Sequence, residues 1–180
     1  MYMDWFYTAY ILRSWLHKED GVAAIEAAML MPIMVALLAG SYDLGKGLVL
    51  SSRTVTASQI AADLITRDKT VNQNDVNDAI AGAKLAFEPF SLNGYGIDIV
   101  SVEFDERRSP QILWRETQGM SPNDNALQNI NGVGDPGEGM VVVSVRYSYS
   151  PLFSKYFMND FDMLEIAYAR GRRSPTVTWN

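Results

Sequence analysis

From Val22 to Gly40 the chain reads VAAIEAAMLMPIMVALLAG, an apolar run with a single charge at Glu26. A helix of that length spans about 30 Å at about 1.5 Å per residue, the thickness of a bilayer's hydrocarbon core. Buried helices of soluble domains rarely run so far without a polar face. The run is therefore expected to cross a membrane. Downstream the pattern narrows to a stripe, with Ala57, Ile60, Ala61, Leu64 and Ile65 recurring at three- and four-residue steps. Arg53, Ser58, Gln59, Asp63 and Arg67 fall largely on other faces. The helix is thus expected to continue past the membrane towards the charged run Arg67, Asp68, Lys69. A second helix is expected over 76–88, capped by Asn74 or Asp75 and stopped by Pro89.

After Pro89 the period changes from helical to alternating. Tyr95 to Phe104 (YGIDIVSVEF) is rich in β-branched residues, as a strand should be. Gln111 to Thr117 is a plausible partner across a turn at Glu106 to Pro110, and a Gly-, Asn- and Asp-rich loop follows from Gly119 to Gly139. Met140 to Tyr149 is the clearest strand. Phe161 to Arg170 is assigned as a further strand because the preceding ones need an antiparallel neighbour. The expected fold class is α+β: a long N-terminal transmembrane helix extending into a small antiparallel sheet domain. The expected divisions are a leader over 1–21, the transmembrane and extended helix over 22–70, and an exported α+β domain over 71–180.

Charge and composition narrow the function. The net charge of −6 argues against a nucleic-acid partner, which needs a basic face. With no cysteine, thiol catalysis, disulfides and cysteine-ligated zinc are excluded. Basic residues flank both ends of the apolar run, with Arg13 and Lys18 before it and Lys46 and Arg53 after it, so the positive-inside rule is nearly silent. Size asymmetry points to a short cytoplasmic N-terminus and a C-terminal domain in the periplasm, held in the bacterial inner membrane by one span. The first residues lack the basic cluster and small-residue cleavage site of a standard secretory signal.

Gly21, Val22 and Glu26 form the most informative constellation. A glycine sits where the charged leader meets the apolar run, and residues 22 and 26 share a helix face. Cleavage between Gly21 and Val22 would leave a new α-amino group beside the membrane, able to pair with Glu26 of the same or a neighbouring copy. A carboxylate inside a span costs roughly 2.5–3.5 kcal/mol at the centre and less near an end. Glu26 therefore either has such a partner or reaches the headgroups unaided. Pro32 removes a backbone donor within the run and is expected to kink the helix.

The remaining motifs point to no chemistry. Gly40 to Gly47 (GSYDLGKG) imitates a phosphate-binding loop but has Gly47 where the magnesium-binding hydroxyl belongs. The stretches 71–78 and 121–138 lack the calcium-loop order and read as helix cap and loop. The sole histidine, His17, lies in the leader, and no catalytic arrangement is present, so no enzyme, metal or cofactor is expected. Tyr147, Tyr149, Phe153, Tyr156 and Phe157 concentrate aromatic surface late in the chain. Tyr147 and Tyr149 share a strand face, as core under the long helix or as a subunit contact.

The segment GVAAIEAAMLMPIMVALLAGSYDLGKG resembles the N-terminal signature of TadE-like proteins, minor pseudopilins of bacterial tight-adherence (Tad/Flp) pilus systems. Gly21, Val22 to Ile25, Glu26, Pro32 and Asp43-Leu44-Gly45 occupy the family's places. The resemblance implies that a prepilin peptidase removes the leader after Gly21, that Val22 begins the mature chain, and that Glu26 helps subunit docking. It further implies membrane lipid, other pilus subunits and Tad assembly proteins as partners, and neither a small-molecule substrate nor nucleic acid. The rival from another class is an uncleaved, signal-anchored periplasmic binding module. A membrane-tethered hydrolase would need a nucleophile–base pair that the sequence does not supply.

Overall fold

The alternating segments become the two inner strands of one sheet in the computed structural model, which describes residues 20–153 and 160–180. Element order is α1 (Asp20–Ile65), β1 (Thr70–Val71), α2 (Gln73–Leu85), β2 (Tyr95–Phe104), β3 (Pro110–Gln118), α3 (Asp124–Gln128), β4 (Gly139–Tyr149), β5 (Phe161–Ala169) and β6 (Thr178–Trp179). Strands β3-β2-β4-β5 make an antiparallel sheet, with Tyr95 opposite Tyr147 and Ile99 opposite Val143. The mixed α+β plan is as expected, including β5 as a strand. By its contacts the chain divides into two units, Met1–Tyr42 and Asp43–Asn180. Of the first, residues 20–42 are described, all in α1.

Within the second unit, β2 and β4 are buried on both faces, which explains their near-continuous Val and Ile content. Ile97, Ile99, Val141, Val143 and Val145 turn one face towards Ala57, Ala61 and Ile65 of α1 and Val76, Ala79, Ile80 and Ala83 of α2. The expected stripe on α1 is largely the packed one, but Leu64 stays exposed. Ser58, assigned to another face, is buried. Its Oγ donates to the Val55 carbonyl at 2.8 Å, so the hydroxyl enters the core already satisfied.

Helix α2 begins earlier than the expected residue 76. Asn72 is its N-cap: the side-chain oxygen accepts from the Asn74 and Asp75 N–H groups, and the Asp75 carboxylate accepts from the Asn72 N–H at 2.9 Å. Asn74 and Asp75 are thus inside the helix, and Asp75 is the reciprocal member of a capping box. The helix ends at Leu85, short of Pro89, and hydrogen-bonded turns carry the chain on to Phe90.

The opposite sheet face carries Val100, Val102, Phe104, Met140 and Val142, covered by Ala126, Leu127 and Ile130 from the Gly-, Asn- and Asp-rich segment. The expected loop therefore contains α3 and contributes core. At its start Gly119 has φ +71°, and a Cβ there would stand 2.5 Å from the Tyr95 carbonyl oxygen, so only glycine fits. The C-terminal tail is also structural. Strand β6 pairs in parallel with β1, and buried Val177 gives its carbonyl to both Ser101 Oγ at 2.7 Å and Trp114 Nε1 at 2.8 Å.

Candidate functional site

In the first unit α1 presents the constellation read from the sequence. Gly21 and Val22 lie in its opening turn, Glu26 one turn further on, and the helix runs uninterrupted through Pro32. Proline has no N–H, so the Ala28 carbonyl lacks its usual intrahelical donor. Every residue from Gly21 to Leu38 is exposed, Glu26 included. Among the described residues Glu26 makes no ion pair. Exposed Val22, Ile25, Leu30, Met31, Met34 and Val35 clothe the helix in hydrocarbon on all sides. A surface of that kind belongs in lipid or against other apolar helices. This is the one helix among the described residues long and apolar enough to cross a membrane, compatible with a single-pass anchor. The leader residues 1–19, with His17, lie outside the described residues, as do Tyr156 and Phe157.

In the second unit α1 carries a buried carboxylate at Asp43, which the sequence marked only as part of an acidic-Leu-Gly step. Its Oδ1 accepts the Leu152 N–H and its Oδ2 the Phe153 N–H, each at 3.0 Å. The Tyr149 hydroxyl donates to the Asp43 carbonyl at 3.3 Å. Two backbone donors beyond the end of β4 are thus satisfied by one helix side chain, the environment in which a buried carboxylate is tolerated. Tyr149 meets the Phe161 ring edge to face at 5.2 Å and lies 5.9 Å below Lys46 Nζ. Tyr147 stacks on Phe87 at 5.0 Å and donates its hydroxyl to the Ser91 carbonyl. Both tyrosines are core residues on one strand face, though Tyr147 packs beneath the end of α2, while the Phe153 side chain is exposed.

A second buried carboxylate, Asp98, lies on the sheet face away from α1 and α2. Arg115 meets it through two bonds, Nε at 2.8 Å and Nη2 at 2.6 Å, and Thr117 Oγ1 and the Asn123 N–H complete its shell. Arg115 also reaches Asp124 at 2.6 Å, and Asn123 Nδ2 donates to Ser144. Burial by itself would raise the Asp98 pKa; the hydrogen bonds from Arg115, Asn123 and Thr117 outweigh it and hold the carboxyl below the ordinary range. Every oxygen of this group faces a donor that holds α3 to the sheet. The arrangement clamps a loop and leaves no lone pair aimed at a substrate.

The other sequence motifs take structural roles. Gly40 to Gly47 is continuous α-helix, a geometry that cannot wrap a phosphate. The stretch 71–78 is the cap and first turns of α2, and 121–138 holds α3. A surface cleft of about 560 Å³ runs between residues 136–139 and 170–175. Its Arg170 is paired with Glu138, Arg172 with Asp63 and Arg173 with Asp68. These ion pairs tie the tail to its surroundings. Among the described residues no cluster of three or more His, Asp or Glu side chains is placed to hold a metal.

Residues 21–63 match the family model described as TadE-like protein. No curated protein and no solved structure matches the chain. The matched segment contains Gly21, Glu26, Pro32 and Asp43, and it stops two residues before α1 ends. The chain is TadE-like over that segment. The resemblance pointed to the same residues. What sequence reasoning missed is the function of Asp43 as an acceptor for Leu152 and Phe153. Only its position between two apolar stretches, where a solvated carboxylate is unusual, signalled it.

Proposed function

We propose that this TadE-like chain is a minor pseudopilin-like component of a Tad/Flp pilus, anchored in the bacterial inner membrane by residues 22–40 with its sheet domain in the periplasm. A prepilin peptidase removes the leader between Gly21 and Val22. The new α-amino group of Val22 and the Glu26 carboxylate then lie one helical turn apart, about 6 Å along the axis. That cation is the natural partner for a carboxylate near the end of a membrane span, in the same chain or between neighbours. Pro32 leaves a local irregularity that packing against other helices can satisfy. The work is mechanical: anchorage, docking through α1, and presentation of the sheet domain to other pilus subunits and Tad assembly proteins.

The observation that carries this reading is the exposed, all-round apolar helix with Glu26 as its only charge between Val22 and Tyr42, inside the TadE-like segment. Replacing Glu26 by Ala is expected to leave membrane insertion intact and to impair pilus assembly. Insertion is read by carbonate extraction and assembly by the yield of sheared pili. Normal piliation in Glu26→Ala cells would remove the docking role.

A further inference from the structure

After β5 the tail turns back as RGRRSP, residues 170–175, so Arg170, Arg172 and Arg173 are crowded together in a chain whose net charge is −6. All three line the surface cleft of about 560 Å³, and Glu138 is the one acidic residue on its walls. Every residue of the cleft belongs to the unit Asp43–Asn180.

The walls are built to approach each other. Gly139 donates its N–H to the Pro175 carbonyl at 2.8 Å, which joins the two segments. A Cβ on Gly139 would stand 2.7 Å from that same oxygen, and one on Gly171 would stand 2.4 Å from the Ser174 carbonyl oxygen. Only glycine permits either contact. The tail is also held on both sides of this turn. Arg172 donates its N–H to the Thr66 carbonyl at 3.1 Å, and Val177 gives its carbonyl to Ser101 and Trp114.

What the walls present is unfilled donors. A guanidinium carries five N–H groups in a planar fork. Arg170, Arg172 and Arg173 each commit one nitrogen to a carboxylate, those of Glu138, Asp63 and Asp68. These pairs stand in solvent, where such contacts contribute little and another anion can compete for them. Among the described residues the N–H groups of Gly171, Arg173 and Ser174 donate to nothing.

We propose that this cleft is an anion site that takes a phosphate group, as the free ion or as a phosphate monoester, held by the three arginines and the N–H groups of the 171–174 turn. Guanidinium forks match both carboxylate and phosphate oxygens. A carboxylate offers two oxygens on one side and a single charge. A phosphate dianion offers oxygens on several sides, so forks from three residues can share it. The cleft's volume falls within the range of about 300–1,000 Å³ common to small-ligand sites.

The test is equilibrium dialysis of the detergent-solubilised full chain against radiolabelled inorganic phosphate at low salt. Saturable binding is expected in the parent and in Arg53→Gln, an exposed position on α1 about 15 Å from Asp63. Affinity is expected to fall about tenfold or more in Arg170→Gln and in Arg173→Gln, as loss of a charge-assisted hydrogen bond implies. Arg170→Lys, which keeps the charge without the fork, should fall between. Unshifted Trp114 emission in each variant shows that the tail is still seated, so that lost binding is not lost folding. Displacement of the label by glycerol 3-phosphate assigns the site to phosphate esters, and displacement by unlabelled phosphate alone assigns it to the free ion. Absence of saturable binding overturns the proposal, as does equal affinity in the parent and the Arg170→Gln, Arg173→Gln double variant. Displacement by succinate as effective as by phosphate also overturns it, in favour of a carboxylate site.

Discussion

At Asp43 a single side chain on α1 holds the turn after β4 by accepting two backbone N–H groups. Asp43→Ala takes the acceptor from both part-buried donors, at a cost of about 1 kcal/mol for each lost bond. The expected outcome is a lower urea midpoint for the sheet domain in the detergent-solubilised chain, with a smaller loss for Asp43→Asn, which retains one carbonyl. Equal midpoints for Asp43→Ala and the parent would contradict the assigned role. Asp98 behaves differently, because its partner is charged. Breaking such a buried pair typically costs about 3–5 kcal/mol, so Asp98→Asn should destabilise more than Asp43→Asn. The folded-state pKa of Asp98 is depressed, so its contribution is fully present above the ordinary carboxylate value of about 3.9. It is lost as pH falls from there through the depressed value. The acid unfolding curve of Asp98→Asn should therefore be flatter below about pH 4 than that of the parent. Neither carboxylate's partner set was legible in sequence, since Asp43 and Asp98 meet residues 109 and 17 positions away.

Among the elements, those with a long unbroken period were legible and those set by a few contacts were not. The apolar run, the stripe from Ala57 to Ile65 and the alternating strands β2 and β4 each repeat a pattern over several turns or pleats. They appear where the pattern puts them. Helix α2 was recognised but displaced at its start, because three consecutive residues, Asn72 to Asn74, are amides and each could cap in principle. Only the geometry selects Asn72, with Asp75 reciprocating. Helix α3 and the two-residue strands β1 and β6 are too short to carry any period. Their importance is nonetheless testable. Removing residues 176–180 takes away the Val177 carbonyl, leaving Ser101 Oγ and the Trp114 indole without their acceptor. The truncated chain is expected to show red-shifted Trp114 emission and a loss of several kcal/mol, roughly 1–3 for each orphaned donor plus the buried valine. Unchanged emission would mean that the tail is dispensable.

For the whole molecule, the same helix serves two environments. Residues 21–38 expose hydrocarbon on every side, and from Asp43 onward α1 gives a strip of small side chains, Thr54, Ala57, Ser58 and Ala61, to a sheet. The long apolar helix was readable from the sequence because its pattern is written in consecutive residues. The central claim is that the span is an anchored, processed pilus subunit's N-terminus, and its most direct test is the intact mass of the protein isolated from its native membrane. A mature chain beginning at Val22 is the expected result. A chain still beginning at Met1 would contradict it and favour an uncleaved, signal-anchored module in the periplasm.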